Sequence, residues 1–199
     1  MYDRMSAKTE DAGLREVRRR LLADAEGRVL EIGGGTGANL LLYGPSVESL
    51  TVTEPEQPML RRLDRKVREQ APLTKVLRAS AEELPFPDNS FDTVVSTLVL
   101  CGVEDQTQSL REVRRVLRPG GRFLFIEHVR ADSTRLARWQ DRLQPAWKPF
   151  GLGCHCNRDT VGTLLGAGWK VDEVQRFAWR GMPFIVKPVV AGWAAPPTS

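Results

Sequence analysis

The sequence has few of the features that stabilise or anchor proteins outside a reducing compartment of the cell. It contains three cysteines among 199 residues and shows no secretory signal, whereas secreted domains usually rely on disulfide bonds. No apolar run reaches the about 20 residues that a membrane-spanning helix needs. The sequence therefore predicts a cytoplasmic protein with no stable membrane insertion.

Charge of one sign is not concentrated enough to predict binding to nucleic acid. The formal net charge is +4, and charged residues make up 27% of the chain. The basic residues have the spacing of solvated helix faces, and no run of them is interleaved with aromatic residues. With 41% hydrophobic residues, no repeats and no long linker, the sequence predicts one globular domain over residues 1–199. We expect no nucleic-acid partner, and the oligomeric state stays open.

Two hydrophobic periodicities alternate between residues 28 and 130. Short apolar runs bounded by turn residues predict buried strands, and polar stretches of helical period predict helices between them. Strand, helix and strand repeated in this way indicate an α/β fold with a parallel sheet. The predicted strands are Val29–Ile32, Leu50–Thr53, Val76–Leu77, Thr93–Leu98 and Phe123–Ile126, and the helices between them include Met59–Gln70 and Leu110–Leu117.

Two further segments flank this core, which we place at residues 26–130. Residues 1–25 predict an N-terminal helical cap, and residues 131–193 predict two helices followed by two C-terminal strands. The expected elements outside the core are helices over Asp11–Ala25, Arg135–Trp147 and Asp159–Ala167, strands over Trp169–Phe177 and Phe184–Val190, a helix stop at Pro119-Gly120-Gly121, and a frayed tail over Ala194–Ser199.

The most informative segment is Val29–Asn39. An apolar strand leads into four glycines between positions 33 and 37, and we expect a helix after them. Glycine lets the backbone turn sharply and approach a ligand without a Cβ in the way, so a nucleotide-like ligand is expected over the N-terminus of that helix. The spacing Gly33-x-Gly35-x-x-Ala38 also fits a dinucleotide fingerprint. Glu54, about 20 residues further on, suits ribose hydroxyls with either ligand.

Two observations separate a methionine-containing ligand from a dinucleotide. Glu31 lies just before the first glycine, where its carboxylate would attract an ammonium group and repel a pyrophosphate. A short-chain dehydrogenase would also need a tyrosine four residues before a lysine. The only tyrosines are Tyr2 and Tyr43, and Ser6 and Val47 stand at that spacing. The sequence therefore lacks the tyrosine that a hydride-transferring dehydrogenase of this class would use as its acid.

Several segments together resemble successive motifs of the class I methyltransferases, which use S-adenosylmethionine. They are Glu31–Gly37, Glu54, Leu84–Asp92 and Val116–Gly121, in this order within residues 28–169. The segments Gly35–Asn39, Ser96–Cys101, Glu127–Val129 and Gly153–His155 are similar to the methyltransferase-like alkyl-thiol methyltransferases and to bacterial phospholipid N-methyltransferases. The resemblance implies an α/β fold with a seven-stranded Rossmann-like sheet, helices on both faces, mostly parallel strands and an antiparallel C-terminal strand.

The resemblance also implies which positions contact the cofactor. The methionine part would lie against Glu31 and the glycine loop, and the ribose against Glu54. The adenine would lie near Met59 and the backbone amide of Ala81. Relatives often carry Asp where this chain has Ser80, and a neutral hydroxyl should bind the adenine amino group more weakly. The full set of expected cofactor residues is Glu31, Gly33, Gly35, Gly37, Glu54, Pro55, Met59, Ser80, Ala81, Leu98 and Tyr2.

The candidates for a catalytic base on the acceptor side are His128 and His155, the two histidines of the chain. His128 follows the fifth predicted strand at its C-terminal end, where ligands bind in open α/β sheets. A hydrogen-bonded structural histidine is the alternative interpretation of each. Cys154 and Cys156 flank His155, but adjacent residues point in different directions. No second pair of ligands completes a tetrahedral shell, because Cys101 and His128 are the only other cysteine and histidine. We therefore expect no metal site.

The sequence thus predicts an S-adenosylmethionine-dependent methyltransferase that acts on a small, fairly apolar acceptor, with a thiol preferred. An aliphatic thiol with a pKa of about 8.5 is partly thiolate at neutral pH. An alkylammonium group with a pKa of about 10 is almost wholly protonated and needs a base more urgently. N-methylation of an amine or a phospholipid head group is the alternative within the enzyme class. A non-catalytic cofactor-binding subunit is the alternative from a different class, because fold does not dictate function.

Overall fold

Seven strands form one mixed sheet in the computed structural model, which describes residues 13–151 and 153–197. The strands are β1 (Gly27–Ile32), β2 (Val47–Thr53), β3 (Lys75–Leu77), β4 (Phe91–Thr97), β5 (Leu117–His128), β6 (Lys170–Ala178) and β7 (Pro188–Ala195). Their order across the sheet is β3-β2-β1-β4-β5-β7-β6. β7 runs antiparallel to both of its neighbours, and the other pairs are parallel. The predicted α/β fold with a seven-stranded, mostly parallel sheet is confirmed.

Helices cover both faces of this sheet. The α-helices of the described residues are α1 (Arg15–Leu22), α2 (Gln57–Gln70), α3 (Gln106–Val116), α4 (Thr134–Trp147) and α5 (Thr160–Gly166). Leu30 and Phe125 pack with apolar residues of α3 and α5, whereas Val29 and Leu124 pack with those of α1. Successive strand residues point to opposite faces, so a strand covered on both faces is apolar at almost every position. The predicted helices on both faces are confirmed.

The last strand differs from its predicted position. Phe184–Val186 forms a short 3₁₀-helix, and β7 begins at Pro188, which lacks a backbone N–H and is tolerated at the first residue of a strand. β7 lies between β5 and β6, and its pairing extends through Ala194 and Ala195. The expected strand over Phe184–Val190 and the expected frayed end at Ala194 are therefore wrong. A strand with neighbours on both sides has its backbone groups paired up to its last residues.

Two further predictions, a helix after the glycine loop and a helix stop at Pro119-Gly120-Gly121, are wrong. No helix follows the glycine loop, because residues 38–46 make only a short connection to β2 and contain Gly44 and Pro45, which favour turns. Pro119-Gly120-Gly121 lies inside β5 rather than ending the preceding helix, which stops at Val116. The register between β4 and β5 shifts in this region, as expected where extra residues form a bulge.

The topology brings the predicted site residues to one edge of the sheet. The parallel strands end at this edge, and the strand order reverses direction between β1 and β4. In open α/β sheets, ligands bind in the crevice at such a point. The glycine loop follows β1, Glu54 follows β2, Leu98 follows β4, and His128 ends β5.

Part of the predicted N-terminal cap, including Tyr2, lies outside the described residues. The division of a single domain into residues 1–25, 26–130 and 131–193 stays a prediction. Over the described ranges, no helix is both long enough and apolar enough to cross a membrane. The cytoplasmic location also stays a prediction.

Candidate active site

The glycine loop turns sharply as it leaves β1. Gly33, Gly35 and Gly37 have φ angles of +60°, +57° and +78°, a region that other residues enter at a cost of about 1–2 kcal/mol. A Cβ on Gly33 would lie 2.6 Å from the side chain of Val99, so the loop packs tightly there. At Gly35, the nearest atom to such a Cβ among the residues that the structure describes is Met59 Sδ, at 4.0 Å. The backbone at Gly35 therefore borders open space, as a ligand lying along the loop requires.

Glu54 holds the glycine loop from the end of β2. Its Oε2 accepts a hydrogen bond from the Gly35 N–H at 2.8 Å, and its Oε1 accepts one from the Glu56 N–H at 2.9 Å. Burial raises the pKa of Glu54, and these two hydrogen bonds act in the opposite direction. Pro55 follows and is exposed, and its carbonyl accepts a hydrogen bond from Arg78 at 3.0 Å. The carboxylate of Glu54 is thus fixed in place beside the loop.

Glu31 is buried in a hydrogen-bonded network behind the loop. The Asn39 side-chain amide donates to its Oε1 at 3.0 Å, and the Tyr43 hydroxyl donates to its Oε2 at 2.6 Å. Arg18 of α1 donates to Asn39 Oδ1 at 3.0 Å and so ties α1 to the loop. Burial raises the pKa of Glu31, and the hydrogen bond from Tyr43 counters that rise. Asn39, Tyr43 and Arg18 were missed as site residues. Arg18 was expected on a solvated helix face and is instead buried.

The remaining predicted cofactor residues lie further along the same edge. Ala81 is buried, and the hydroxyl of Ser80 donates to the Glu82 carboxylate and accepts from the Glu82 N–H. Leu98 has a φ angle of +63° and donates its N–H to the Ile126 carbonyl at 2.7 Å. A leucine in this left-handed region is uncommon, and such positions cluster at functional sites. The contacts of these residues with the cofactor stay predictions.

His128 lies in a buried cluster with two cysteines. Its Nδ1 is 3.5 Å from Cys154 Sγ and 3.7 Å from Cys101 Sγ. Its ring stacks on Trp179, with the ring centroids 5.6 Å apart. The buried Nε2 has no hydrogen-bond partner among the residues that the structure describes. The neighbouring Cys101 thiol and the His128 ring together hold the pKa of Cys154 below its ordinary value.

Glu127 shapes the segment that follows β4. Its fully buried carboxylate accepts hydrogen bonds from the Ser96 hydroxyl and from three successive backbone N–H groups, at 2.6–3.2 Å. Burial raises the pKa of Glu127, and these hydrogen bonds counter the rise. Sequence reasoning missed this role, although a charged residue directly after the apolar run Phe123–Ile126 was a visible signal. The three N–H donors are those of Val99, Leu100 and Cys101.

His155 is partly exposed and does not join the buried cluster. Its backbone N–H donates to the Cys101 carbonyl at 2.6 Å, and desolvation lowers the pKa of its ring. Cys156 points elsewhere, because its buried thiol donates to Gln144 Oε1 at 3.2 Å. The adjacent side chains do diverge as expected, and of these three only Cys154 turns towards the cluster. That either histidine of the chain acts as a base stays a prediction.

This edge of the sheet fits S-adenosylmethionine. The open space at Gly35 accommodates a ligand against the loop, and the fixed carboxylate of Glu54 offers acceptor oxygens to ribose hydroxyls. That Glu31 attracts the ammonium group of the methionine part stays a prediction. Leu98 and His128 lie at the ends of the next two strands, β4 and β5, along the same edge of the sheet.

Comparison with known proteins also indicates a methyltransferase. Residues 30–125 match the family model of a methyltransferase domain. The chain is 38% identical over 174 residues to human thiol S-methyltransferase TMT1A, which covers 83% of this chain and 69% of the relative. It is also 38% identical over 113 residues to the phosphatidylethanolamine N-methyltransferase of Cereibacter sphaeroides, which covers 56% of this chain and 55% of the relative. The chain thus spans about two thirds of the length of the first of these relatives.

Solved structures show the same fold. The YcgJ protein from Bacillus subtilis matches with a TM-score of 0.76 at 18% identity, over 93% of this chain and 100% of that chain. At this identity the likeness concerns the fold, whereas the human relative and the family model concern the family. Taken with the glycine loop and its two fixed carboxylates, these findings show that the chain belongs to the S-adenosylmethionine-dependent methyltransferases, enzymes whose cofactor is S-adenosylmethionine.

Proposed function

We propose that this methyltransferase transfers a methyl group to the sulfur of a small, fairly apolar thiol. The observation that carries the proposal is the 38% identity, over 83% of this chain, to a human thiol S-methyltransferase. The surroundings of His128 support an apolar acceptor. Trp179 stacks on the His128 ring, and Leu98 and Met182 pack in the same hydrophobic cluster as Trp179.

A thiol also makes the smallest chemical demand on the residues present. The cofactor supplies a methyl group on a positively charged sulfur, which is already activated for transfer. The protein then has to align the acceptor, an effect that reaches about 7–11 kcal/mol in well-oriented systems. A thiol with a pKa of about 8.5 provides thiolate at neutral pH without a strong base. An amine with a pKa of about 10 provides very little of its reactive form.

We assign the cofactor contacts to the residues named from the sequence. The methionine side is Glu31 with Gly33, Gly35 and Gly37, the ribose side is Glu54 with Pro55, the adenine side is Met59, Ser80 and Ala81, and Leu98 contacts the cofactor from the end of β4. Of the two histidines, we assign His128 to the acceptor side. It ends β5, and its buried Nε2 has no partner among the described residues.

The proposal is tested by offering three acceptor classes separately to the purified protein with methyl-labelled S-adenosylmethionine. They are an alkyl thiol, an alkylamine of the same chain length, and vesicles that contain phosphatidylethanolamine. We expect labelled thioether from the thiol, well above the uncatalysed rate. Transfer only to the amine or to the vesicles would replace the thiol assignment with N-methylation, and cofactor binding without any transfer would contradict the proposal.

A variant pair tests the assignment of His128. His128 is assigned to the acceptor side, and an acceptor displaced by about 1 Å can lose about 10²-fold in rate, so we expect kcat/KM for thiol methylation to fall by up to this order in His128→Ala. His155→Ala is the matched control and should retain the activity of the unaltered chain. Equal kcat/KM for His128→Ala and the unaltered chain would remove His128 from the mechanism.

A further inference from the structure

Three metal-ligating side chains converge at one buried point beside the proposed acceptor site. The Sγ atoms of Cys101 and Cys154 and one ring nitrogen of His128 all lie within 4.8 Å of one another. The residues come from three separate places in the chain, which are the segment after β4, the end of β5 and the loop before α5. All three side chains are buried. A buried set of two thiols and an imidazole is the donor set that soft and borderline cations prefer.

The spacing is that of ligands around a tetrahedral cation. Zn–S bonds of about 2.3 Å and Zn–N bonds of about 2.0–2.1 Å place sulfur and nitrogen about 3.5 Å apart at the tetrahedral angle. Here His128 Nδ1 is 3.5 Å from Cys154 Sγ and 3.7 Å from Cys101 Sγ. Hydrogen bonding accounts for only one of these contacts, because a ring nitrogen donates or accepts a single hydrogen bond. One cation between the three atoms satisfies both contacts.

The surrounding structure holds the three residues in this arrangement. The Cys101 N–H donates to the Glu127 carboxylate at 3.0 Å. The Cys154 carbonyl accepts a hydrogen bond from the Gln144 side chain at 2.9 Å. The His128 ring is stacked on Trp179. Such support fixes the direction of each ligand atom and is typical of sites that bind metal tightly.

We propose that Cys101, His128 and Cys154 bind one Zn²⁺ or a similar thiophilic divalent cation. Binding releases the thiol protons of the two cysteines to solvent. The two thiolates then balance the charge of the cation, which limits the cost of burying it. Three protein ligands leave a fourth position for water or a small soft ligand, as in open zinc sites. The expectation of no metal site rested on the divergence of adjacent side chains, and the sequence alone did not bring Cys101 and His128 to Cys154.

The test is a titration of the untagged, reduced full chain with Co²⁺, a spectroscopic substitute for Zn²⁺, in a phosphine rather than a thiol reductant. Thiolate bound to Co²⁺ gives an intense charge-transfer absorption in the near ultraviolet, and tetrahedral Co²⁺ gives visible bands. We expect both signals to saturate at one equivalent and to disappear when Zn²⁺ is added. Absence of thiolate-to-cobalt absorption with Co²⁺ in excess would overturn the proposal.

Variants locate the site. Cys101→Ser and Cys154→Ser should each weaken Co²⁺ binding at least about tenfold, with the folded state checked by circular dichroism and by binding of S-adenosylmethionine. Cys156→Ser is the matched control, because Cys156 is equally buried and its thiol bonds to Gln144 instead. Zn²⁺ should also raise the unfolding temperature of the control and of the unaltered chain, but not that of Cys154→Ser. An undiminished signal in Cys154→Ser, or an equal loss in Cys156→Ser, would contradict the assignment.

Discussion

The two sides of the active site are built from different ranges of the sequence. The methionine and ribose part of the cofactor side runs from Glu31 to Glu54, so its residues follow one another through a strand, a loop and the next strand. The other side joins His128 to Cys101 and Cys154, which lie 27 residues before it and 26 residues after it. The first side is therefore local in sequence, and the second exists only once β4, β5 and the loop before α5 are packed together.

Each side contains a buried carboxylate that accepts hydrogen bonds from backbone N–H groups. The two carboxylates differ in how many of their acceptor positions are occupied. Glu54 accepts from two N–H groups. Glu127 accepts from three N–H groups and a hydroxyl, and none of it is exposed. Because each carboxylate has about four acceptor positions, Glu54 retains acceptor capacity for a ligand and Glu127 does not. The comparison supports the proposal that Glu54 binds a ligand and indicates that Glu127 is structural.

The largest expected effect is a loss of stability in Glu127→Ala. This change leaves the N–H groups of the segment after β4 without their acceptor in a buried place, so we expect the free energy of unfolding to fall by about 3 kcal/mol. Urea denaturation measures it. Glu69→Ala, on an exposed face of α2, is the control and should change stability by less than about 0.5 kcal/mol. A loss in Glu127→Ala below about 1 kcal/mol would break the contrast between the two carboxylates.

The corresponding change on the cofactor side, Glu54→Ala, should act chiefly on binding. Hydrogen bonds to charged groups contribute about 1.5–3 kcal/mol, so we expect the Kd for S-adenosylmethionine to rise about 10–100-fold. Isothermal titration calorimetry measures this Kd. Glu48→Ala, an exposed position on the same strand, is the matched control and should bind normally. Unchanged affinity in Glu54→Ala would show that this carboxylate supports only the loop.

A pair of glycine variants tests whether the glycine loop packs tightly against the segment after β4. Gly33 and Gly120 both have positive φ angles, +60° and +79°. A Cβ at Gly33 would strike Val99, whose N–H donates to Glu127. One at Gly120 would meet no atom of residues 13–151 and 153–197 within 4 Å. Both alanine variants carry the backbone cost, but Gly33→Ala adds overpacking, so it should be less stable than Gly120→Ala by about 1–3 kcal/mol. Equal denaturation midpoints would mean that the Val99 side chain moves away from the added Cβ at little cost in stability.

The smallest expected effect depends on pH and concerns the link between α4 and the loop that carries Cys154. Hydrogen bonds from Arg130 and then Asn157 lower the pKa of Asp141 from 3.8 to about 2. Because the folded-state pKa lies below the unfolded one, this stabilisation is present above pH 3.8 and is lost as the pH falls through about 2. Asp141→Asn should therefore be slightly less stable at pH 6, and urea denaturation at decreasing pH should show the difference shrinking between pH 4 and pH 2. A difference that grows with acid would contradict the ion pair.

Most of the sheet and the cofactor side were predictable, because both depend on short-range patterns. Apolar runs located β1, β2, β4 and the centre of β5, and the glycines with Glu31 and Glu54 pointed to a nucleotide-like ligand. Periodicity did not place β7, since its limits depend on pairing with β5 and β6 rather than on its own composition. The glycine motif also predicted a helix after the loop, where a short connection with Gly44 and Pro45 permits only turns.

The other side was less predictable, because its contacts join residues that are distant in the chain. His128 was identified from its place after a strand, but nothing in the local sequence pairs it with Cys101 and Cys154. Glu127 accepts hydrogen bonds from the segment after β4, which lies about 27 residues before it in the chain. Its role therefore depends on how that segment folds in three dimensions. Long-range polar contacts of this kind leave no periodic signal in the chain.

The most direct test of the account is a single-turnover reaction of the purified chain with one equivalent of S-adenosylmethionine bearing a deuterated methyl group and an excess of alkyl thiol. The account predicts that the deuterated methyl group appears in the thioether, detected by mass spectrometry, and that S-adenosylhomocysteine forms in equal amount. The Glu54→Ala variant at the same cofactor concentration should form much less of both. Bound cofactor recovered unchanged in the presence of the thiol would contradict the account.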